Sequence, residues 1–264
     1  MRIRKFLMFG SLCLMTVGAI VASCSSEDED LETLTRASYD TYEECTNIPR
    51  PSDTYVFPVY PGSSTWQKLI EESNGDMGKV RSAMQVPEKT LKNMSTEGII
   101  QTWLDYPFSM ELSAFDAYIF FIERDFYDLN FCRELLRRDD AGACILNMYS
   151  TLEFGCQQAN TVHTHLALLT AISDIQNKLS ISEKKEFVKI ALNTYERSKN
   201  LTDFNGSASA FLCGNLMKGD NYAPMIDVLD KNAGLKEFID FWYSGGATAE
   251  QIAIIMEISN NYIK

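Results

Sequence analysis

The sequence predicts an all-α body that follows a short N-terminal signal and an extended tether. Apolar residues recur at helical spacing from Ser64 onward, helix-capping residues precede several of these stretches, and only residues 54–60 have the pattern of an extended segment. The 264-residue chain is 45% apolar, which supports a packed core. We expect about ten helices of mostly 8–18 residues, arranged in layers or as a solenoid in one domain over residues 63–264.

The first 23 residues have the pattern of a secretory signal peptide. Arg2, Arg4 and Lys5 form a basic start, and an uncharged stretch runs from Phe6 to Ala22. The next charges are the acidic residues 27–30, so no basic stop-transfer flank follows. An uncleaved membrane anchor is the alternative, but the uncharged stretch is marginal in length for a membrane span.

The end of this stretch, Val21-Ala22-Ser23-Cys24, resembles the lipobox of bacterial lipoproteins, with Val21 where Leu is favoured. The resemblance implies cleavage before Cys24 and acylation of its sulfur and of its new amino group. Two or more acyl chains hold a protein stably on a membrane, whereas one does so only reversibly. The resemblance therefore implies that the protein is attached to a membrane by a lipid anchor at Cys24.

The acidic run that follows, Ser25–Asp30, resembles the export signal of Bacteroidota surface lipoproteins. That resemblance implies a place on the outer membrane, exposed at the cell surface. A plain solvated spacer is the alternative, and the protein would then face the periplasm.

Residues 24–62 form a predicted acidic and proline-rich tether. Four of the seven prolines fall within thirteen residues, and proline disfavours helix interiors and central strands. As a random coil, residues 25–50 would span roughly 30 Å. Tyr55, Phe57 and Tyr60 are too apolar for a free linker, so we expect them to lie along the body as an extended strap.

The first half of the body contains short predicted helices. Trp66, Leu69 and Ile70 lie on one helical face, and Pro87 suits the first turn of the next helix. Ser95 can cap a helix that ends before Pro107. Two further apolar stretches have helical spacing. Their members are Leu112, Phe115, Ile119, Ile122 and Phe126, and then Leu135, Leu136, Cys144, Ile145 and Met148 on either side of Gly142.

The second half has longer predicted helices with clear starts. A long helix carries Val162, Leu166, Leu169 and Ile172 on one face. Ser180 and Glu183 form a capping box, and Thr248 with Gln251 opens the last helix in the same way. Glycines and a proline separate shorter helices between them. These residues are Gly206, Gly219 and Pro224.

The charge balance excludes a nucleic-acid partner. The chain has 24 basic and 36 acidic residues, a formal net charge of −12. Loss of residues 1–23 removes three basic residues and no acidic one, which leaves 21 against 36, or −15. Phosphate binding needs clustered Lys and Arg, and neither a P-loop nor a G-x-G-x-x-G motif is present, so we expect no cofactor.

Cysteine and histidine offer little chemistry. Five cysteines follow Cys24, so at least one is unpaired. We predict that they are buried and behave as small apolar side chains. A disulfide between two of them is the alternative, since the protein is predicted to lie outside the cytoplasm. Two histidines, His163 and His165, would point apart on a helix, so we predict no metal site and a buried His165. The cysteines are Cys45, Cys132, Cys144, Cys156 and Cys213.

Two function classes lead, ahead of a third in which the body carries a small ligand in an enclosed apolar cavity. The favoured one is a non-catalytic binding or structural module of the cell envelope, in which Trp66, Trp103 or Trp242 is exposed for stacking on a protein or glycan partner. The alternative is a small hydrolase that uses paired carboxylates on glycan or peptide. Its candidate acids are Asp105, Glu111, Asp116 and Glu123.

A spaced series within residues 60–150 resembles a recurring block in all-helical secreted and lipid-anchored bacterial proteins. The series includes Val86-Pro87-Glu88, Leu104-Asp105-Tyr106-Pro107 and Arg138-Asp139-Asp140-Ala141-Gly142. The resemblance covers less than half of the chain and implies a location, not an activity. Helix starts and stops explain the same residues structurally.

Overall fold

The computed structural model describes residues 50–60, 62–107, 126–152, 157–198, 204–242 and 247–264. Within these ranges the chain forms thirteen α-helices and no strand, so the all-α prediction is confirmed. Ten of the thirteen are 8 to 18 residues long. The helices are α1 Ser64–Ser73, α2 Met77–Ala83, α3 Glu88–Leu91, α4 Thr96–Leu104, α5 Asn130–Arg137, α6 Ala141–Ser150, α7 Gln157–Ala171, α8 Ser173–Gln176, α9 Ile181–Ser198, α10 Phe204–Gly219, α11 Ala223–Lys231, α12 Ala233–Phe241 and α13 Ala249–Tyr262.

Helix α10 is the centre of the C-terminal half. It contacts the three helices that precede it in the chain, α7, α8 and α9, and the three that follow it, α11, α12 and α13. Every residue from Ala208 to Met217 is buried, because small side chains alternate with large ones around the helix. A Cβ on Gly214 would overlap Ile239 Cδ1, so glycine permits the close approach of α12. Packing of one helix against six others makes this half layered.

The N-terminal half is built around α4. This helix packs on α5 and α6, and α6 in turn contacts α7 and α9, which joins the two halves. Ile99, Ile100 and Trp103 of α4 are all at most 2% exposed. Helices α1 and α2 pack mainly against each other, and Trp66, Leu69 and Ile70 lie half-buried against the core.

The predicted helix starts are confirmed at three caps. Ser95 Oγ accepts from Gly98 N at 3.0 Å, Ser180 and Glu183 exchange both bonds of a capping box, and Thr248 does the same with Gln251. The side-chain acceptors satisfy backbone N–H groups that the first helical turn leaves unpaired.

Two predicted boundaries are wrong. The long helix predicted to include Ile172 ends at Ala171, and Ile172 precedes the short helix α8. Gly206 was expected to separate two helices, but it lies inside the first turn of α10, which begins at Phe204. Burial of the following residues against α7 and α9 outweighs the weak helix propensity of one glycine near a helix end. Most of the predicted apolar helix around Leu112–Phe126 lies outside the described residues, although Phe126 itself is fully buried.

Candidate functional site

The described chain begins on the surface of α4 with residues 50–57, which form neither helix nor strand and which we call the strap. Tyr55 N donates to Thr102 Oγ1 at 3.0 Å, and Thr102 Oγ1 donates back into its own helix, to Gly98 O at 2.7 Å. Thr54 Oγ1 donates to Pro51 O at 2.7 Å, which turns the chain just before this contact. The strap is therefore held on the body at its backbone as well as at its side chains.

Phe57 holds the strap by burial. It is 6% exposed and lies edge-on against three rings, those of Tyr55, Tyr106 and Phe131, at centroid distances of 5.2, 5.8 and 5.8 Å. Its neighbour Val56 points outward and is 74% exposed. The inward Phe57 and the outward Val56 show that this segment packs on the helical body, so the tether predicted for residues 24–62 contacts the body from Arg50 onward.

Asp53 of the strap binds the N-terminal end of α4. Its carboxylate accepts from the backbone N and the hydroxyl of Ser95, the residue that caps this helix. A Cβ on Gly98 would lie 2.5 Å from Asp53 Oδ1, so glycine is required for this approach. A carboxylate is favoured here because the unpaired N–H groups of a helix start carry partial positive charge.

Asp105, at the other end of α4, pairs with the first residue of the strap. Arg50 Nη2 donates to Asp105 Oδ2, and Gln101 Nε2 donates to Oδ1 at 3.0 Å. The carboxyl is 8% exposed, and burial raises its pKa to about 6, although Arg50 and Gln101 act in the opposite direction. The strap is therefore bound at both ends of α4. Asp53 binds Ser95 at the N-terminal end, and Arg50 binds Asp105 at the C-terminal end.

This geometry predicts the cost of removing Asp105. Asp105→Ala should lower the free energy of unfolding by about 1–3 kcal/mol, because Arg50 and Gln101 lose a charged acceptor. The Arg50 side chain is 27% exposed, so water solvates part of the charge left behind. Urea unfolding of Asp105→Ala, Arg50→Ala and the double variant measures the coupling. Strictly additive losses would contradict the pair.

The structure describes only one of the four candidate acids. Asp105 is held by Arg50 and Gln101 and faces the strap, so it has a structural role. The other three, Glu111, Asp116 and Glu123, lie outside the described residues.

The tryptophan prediction is wrong for two of its three residues. Trp103 and Trp242 are each 2% exposed and are not available for stacking on a partner. Trp103 packs edge-on against Phe126 at 5.3 Å, and Trp242 against Phe211 at 4.6 Å. Burial of a large aromatic ring stabilises the fold, and both rings continue the apolar face of their helix. Trp66 is half-buried at the start of α1.

The cysteine prediction is confirmed where the structure describes it. Cys132, Cys144 and Cys213 are free and buried. Burial raises the pKa of the Cys132 thiol well above its usual value despite the adjacent Arg133, and raises that of Cys144 to about 12. These are inert thiols, since nucleophilic cysteines have lowered pKa values. The remaining two, Cys45 and Cys156, lie outside the described residues.

Both histidines are buried in α7. The His163 ring stacks on Tyr149 at 4.8 Å, and its Nε2 is hydrogen-bonded to the Tyr149 hydroxyl. Burial lowers the pKa of His163 to about 3 and that of His165 to about 4, so both are neutral at pH 7. Across the described part of the chain, no three His, Cys, Asp or Glu side chains form a group suited to a metal ion.

A partly buried polar cluster in the C-terminal half was not predicted. Lys184 Nζ donates to Asp220 Oδ1 at 2.6 Å, and the Tyr262 hydroxyl donates to the other oxygen of the same carboxylate. Lys185 Nζ lies 5.8 Å from the centroid of the Tyr262 ring. The cluster joins α9, the end of α10 and the end of α13. Its members are 36 and 42 residues apart, so no local pattern could have found it.

Comparison with known proteins gives no family for this geometry. No protein-family model, curated protein or solved structure matches the chain. Among the helices that the structure describes, none is both long and apolar enough to cross a membrane.

Proposed function

We propose that the chain is a lipid-anchored protein of the bacterial cell envelope and that its helical body is a non-catalytic binding or structural module. The lipobox-like segment ending in Cys24 supports the anchor. The strap carries the proposal further, because Arg50, Asp53 and Phe57 fasten the tether to the body only about 26 residues after the acylated residue. Lipid, tether and body then form one continuous attachment.

A non-catalytic role is supported by the state of the reactive side chains. The candidate acid Asp105 is ion-paired to the strap, the histidines are neutral and buried, and the described thiols are inert. The hydrolase alternative gains no support from Asp105. A protein or glycan partner would bind a surface of the body that does not include the buried Trp103 and Trp242.

The anchor is tested by a Cys24→Ala variant expressed in a bacterial host with an alkyne-tagged fatty acid. We expect acyl labelling to be lost and the protein to leave the membrane fraction, because the thioether acceptor is gone. Cys45→Ala is the matched control, since it lies in the same tether and should keep both labelling and membrane location. Equal labelling of the Cys24→Ala variant and the parent chain would contradict the anchor.

The side of the outer membrane is tested separately. With Glu27, Asp28, Glu29 and Asp30 replaced by their amides, we expect acylation to persist and digestion by protease added to intact cells to be lost. The parent chain should be digested under the same conditions, because its acidic run would direct it to the outer surface. Digestion of neither protein would favour a plain spacer and a periplasmic location. Equal digestion of both would contradict a role of the acidic run in export.

A further inference from the structure

The outer surface of the strap is apolar and carries no charge, although the protein is strongly acidic. Residues 54–67 contain no charged side chain. Val56 is 74% exposed and Pro58 is exposed, while Val59 and Tyr60 are half-buried. Val56 and Pro58 lie on the side of the strap opposite Phe57, which is buried. Two outward apolar residues therefore flank an inward anchor.

The start of α1 extends this surface. Thr65 Oγ1 donates to Pro58 O at 3.4 Å, and Ser63 Oγ donates to Tyr60 O at 2.8 Å, so the strap folds back against the first turn of α1. Trp66 is the third residue of this helix and is half-buried, packed in part against the core. We define the strap face as Val56, Pro58, Val59, Tyr60 and Trp66.

The charges near the strap face are few and balanced. Residues 50–72 contain two basic and three acidic side chains, a net charge of −1 in a mature chain predicted to carry −15. Asp53 is bound to Ser95, and Lys68 lies 3.8 Å from Glu72. An acidic surface is repelled by an anionic bilayer, whereas a nearly neutral aromatic one is not. This end of the body can approach lipid where the rest cannot.

The position of the strap face along the chain selects its partner. The tether between the acylated residue and Arg50 would span roughly 30 Å as a coil, which keeps this end of the body close to the bilayer at all times. Tyrosine and tryptophan are enriched where proteins meet the lipid headgroups, because each has an apolar ring and a polar hydrogen-bonding group. The strap face combines these two residue types with exposed Val and Pro.

We propose that the strap face rests on the headgroup region of the membrane that holds the lipid anchor, and so fixes which end of the body faces the lipid. This inference rests on the proposed lipid anchor. The bilayer contact orients the body with α4 and α1 toward the membrane.

Tryptophan fluorescence tests this contact in two arms. In the first, the acylated full chain is reconstituted into phosphatidylcholine vesicles, with or without bromine on the acyl chains. In the second, the chain from residue 24 with Cys24→Ala is attached through an N-terminal hexahistidine tag to vesicles containing nickel-chelating lipid. Bromine quenches only tryptophans that reach the lipid, and Trp103 and Trp242 are buried in the protein.

We expect brominated lipid to lower the emission in both arms and Trp66→Phe to abolish that loss. Trp242→Phe is the matched control and should retain it. No quenching in the tag-attached arm, or quenching that persists in Trp66→Phe, would overturn the lipid contact whatever the acylation result. An unacylated N-terminus in the first arm, with quenching in the second, would overturn the anchor and leave the contact supported.

Discussion

A Phe57→Ala substitution is expected to lower the free energy of unfolding by about 3–4 kcal/mol. The ring is 6% exposed and contacts three other aromatic rings, so its removal leaves a cavity between the strap and α5. The expected result is a lower urea midpoint with little change in the slope of the transition, since most of the core is untouched.

Val56→Ala is the matched control for that experiment. Val56 is the adjacent residue of the same strap and is 74% exposed, so its truncation should change the free energy of unfolding by no more than about 0.5 kcal/mol. Proteolysis adds a second measurement, because loss of Phe57 should expose the strap backbone to cleavage before the body unfolds. Equal stability of the two variants would show that the strap is not part of the folding unit.

The second large effect is a loss of stability in acid that comes from His163 and His165. Their pKa values are lowered by burial from 6.5 to about 3 and about 4. Between those values and 6.5 the unfolded chain binds protons that the folded chain excludes, so stability falls as the pH falls. Each histidine contributes roughly 1.4 kcal/mol per pH unit in this window.

Asp105 acts in the opposite direction. Burial raises its pKa from 3.8 to about 6, so the folded chain binds the proton more tightly and this carboxyl stabilises the fold as the pH falls through 6. One carboxyl offsets only part of the effect of two histidines. Between pH 6.5 and about pH 4.5 we expect a net loss of about 2–3 kcal/mol from these three groups.

The histidine contribution can be isolated with His165→Leu. This variant removes one titrating group from an apolar position that is 7% exposed, so stability at pH 7.5 should change little. The loss between pH 6.5 and pH 4.5 should fall by about 2 kcal/mol. Urea unfolding at several pH values gives both numbers. An unchanged acid dependence in His165→Leu would contradict the assignment of this loss to neutral buried histidines.

Local patterns predicted the elements whose causes are local. The caps at Ser95, Ser180 and Thr248 each depend on residues no more than three positions apart, and all three are present. The strap was predictable for a related reason, because prolines exclude helix while aromatic residues require burial. These two local constraints explain why the segment is non-helical and packs on the body.

The partners of the strap were not predictable from the sequence. Arg50 and Asp105 are 55 positions apart, and Asp53 and Ser95 are 42 apart, so only the folded chain brings them together. The sequence therefore offers Asp105 only as one of four candidate acids, whereas the folded chain pairs it with Arg50. The predicted exposure of Trp103 and Trp242 is wrong for a similar reason. A helical pattern shows which residues share a face of a helix, but it does not show which other helices cover that face.

The intact mass of the N-terminal peptide of protein extracted from bacterial membranes tests the central claim most directly. The account predicts a peptide that begins at Cys24 and carries a diacylglycerol, with an acyl group on its amino nitrogen. An unmodified peptide that begins at Met1 would contradict the anchor, the location and the surface role together.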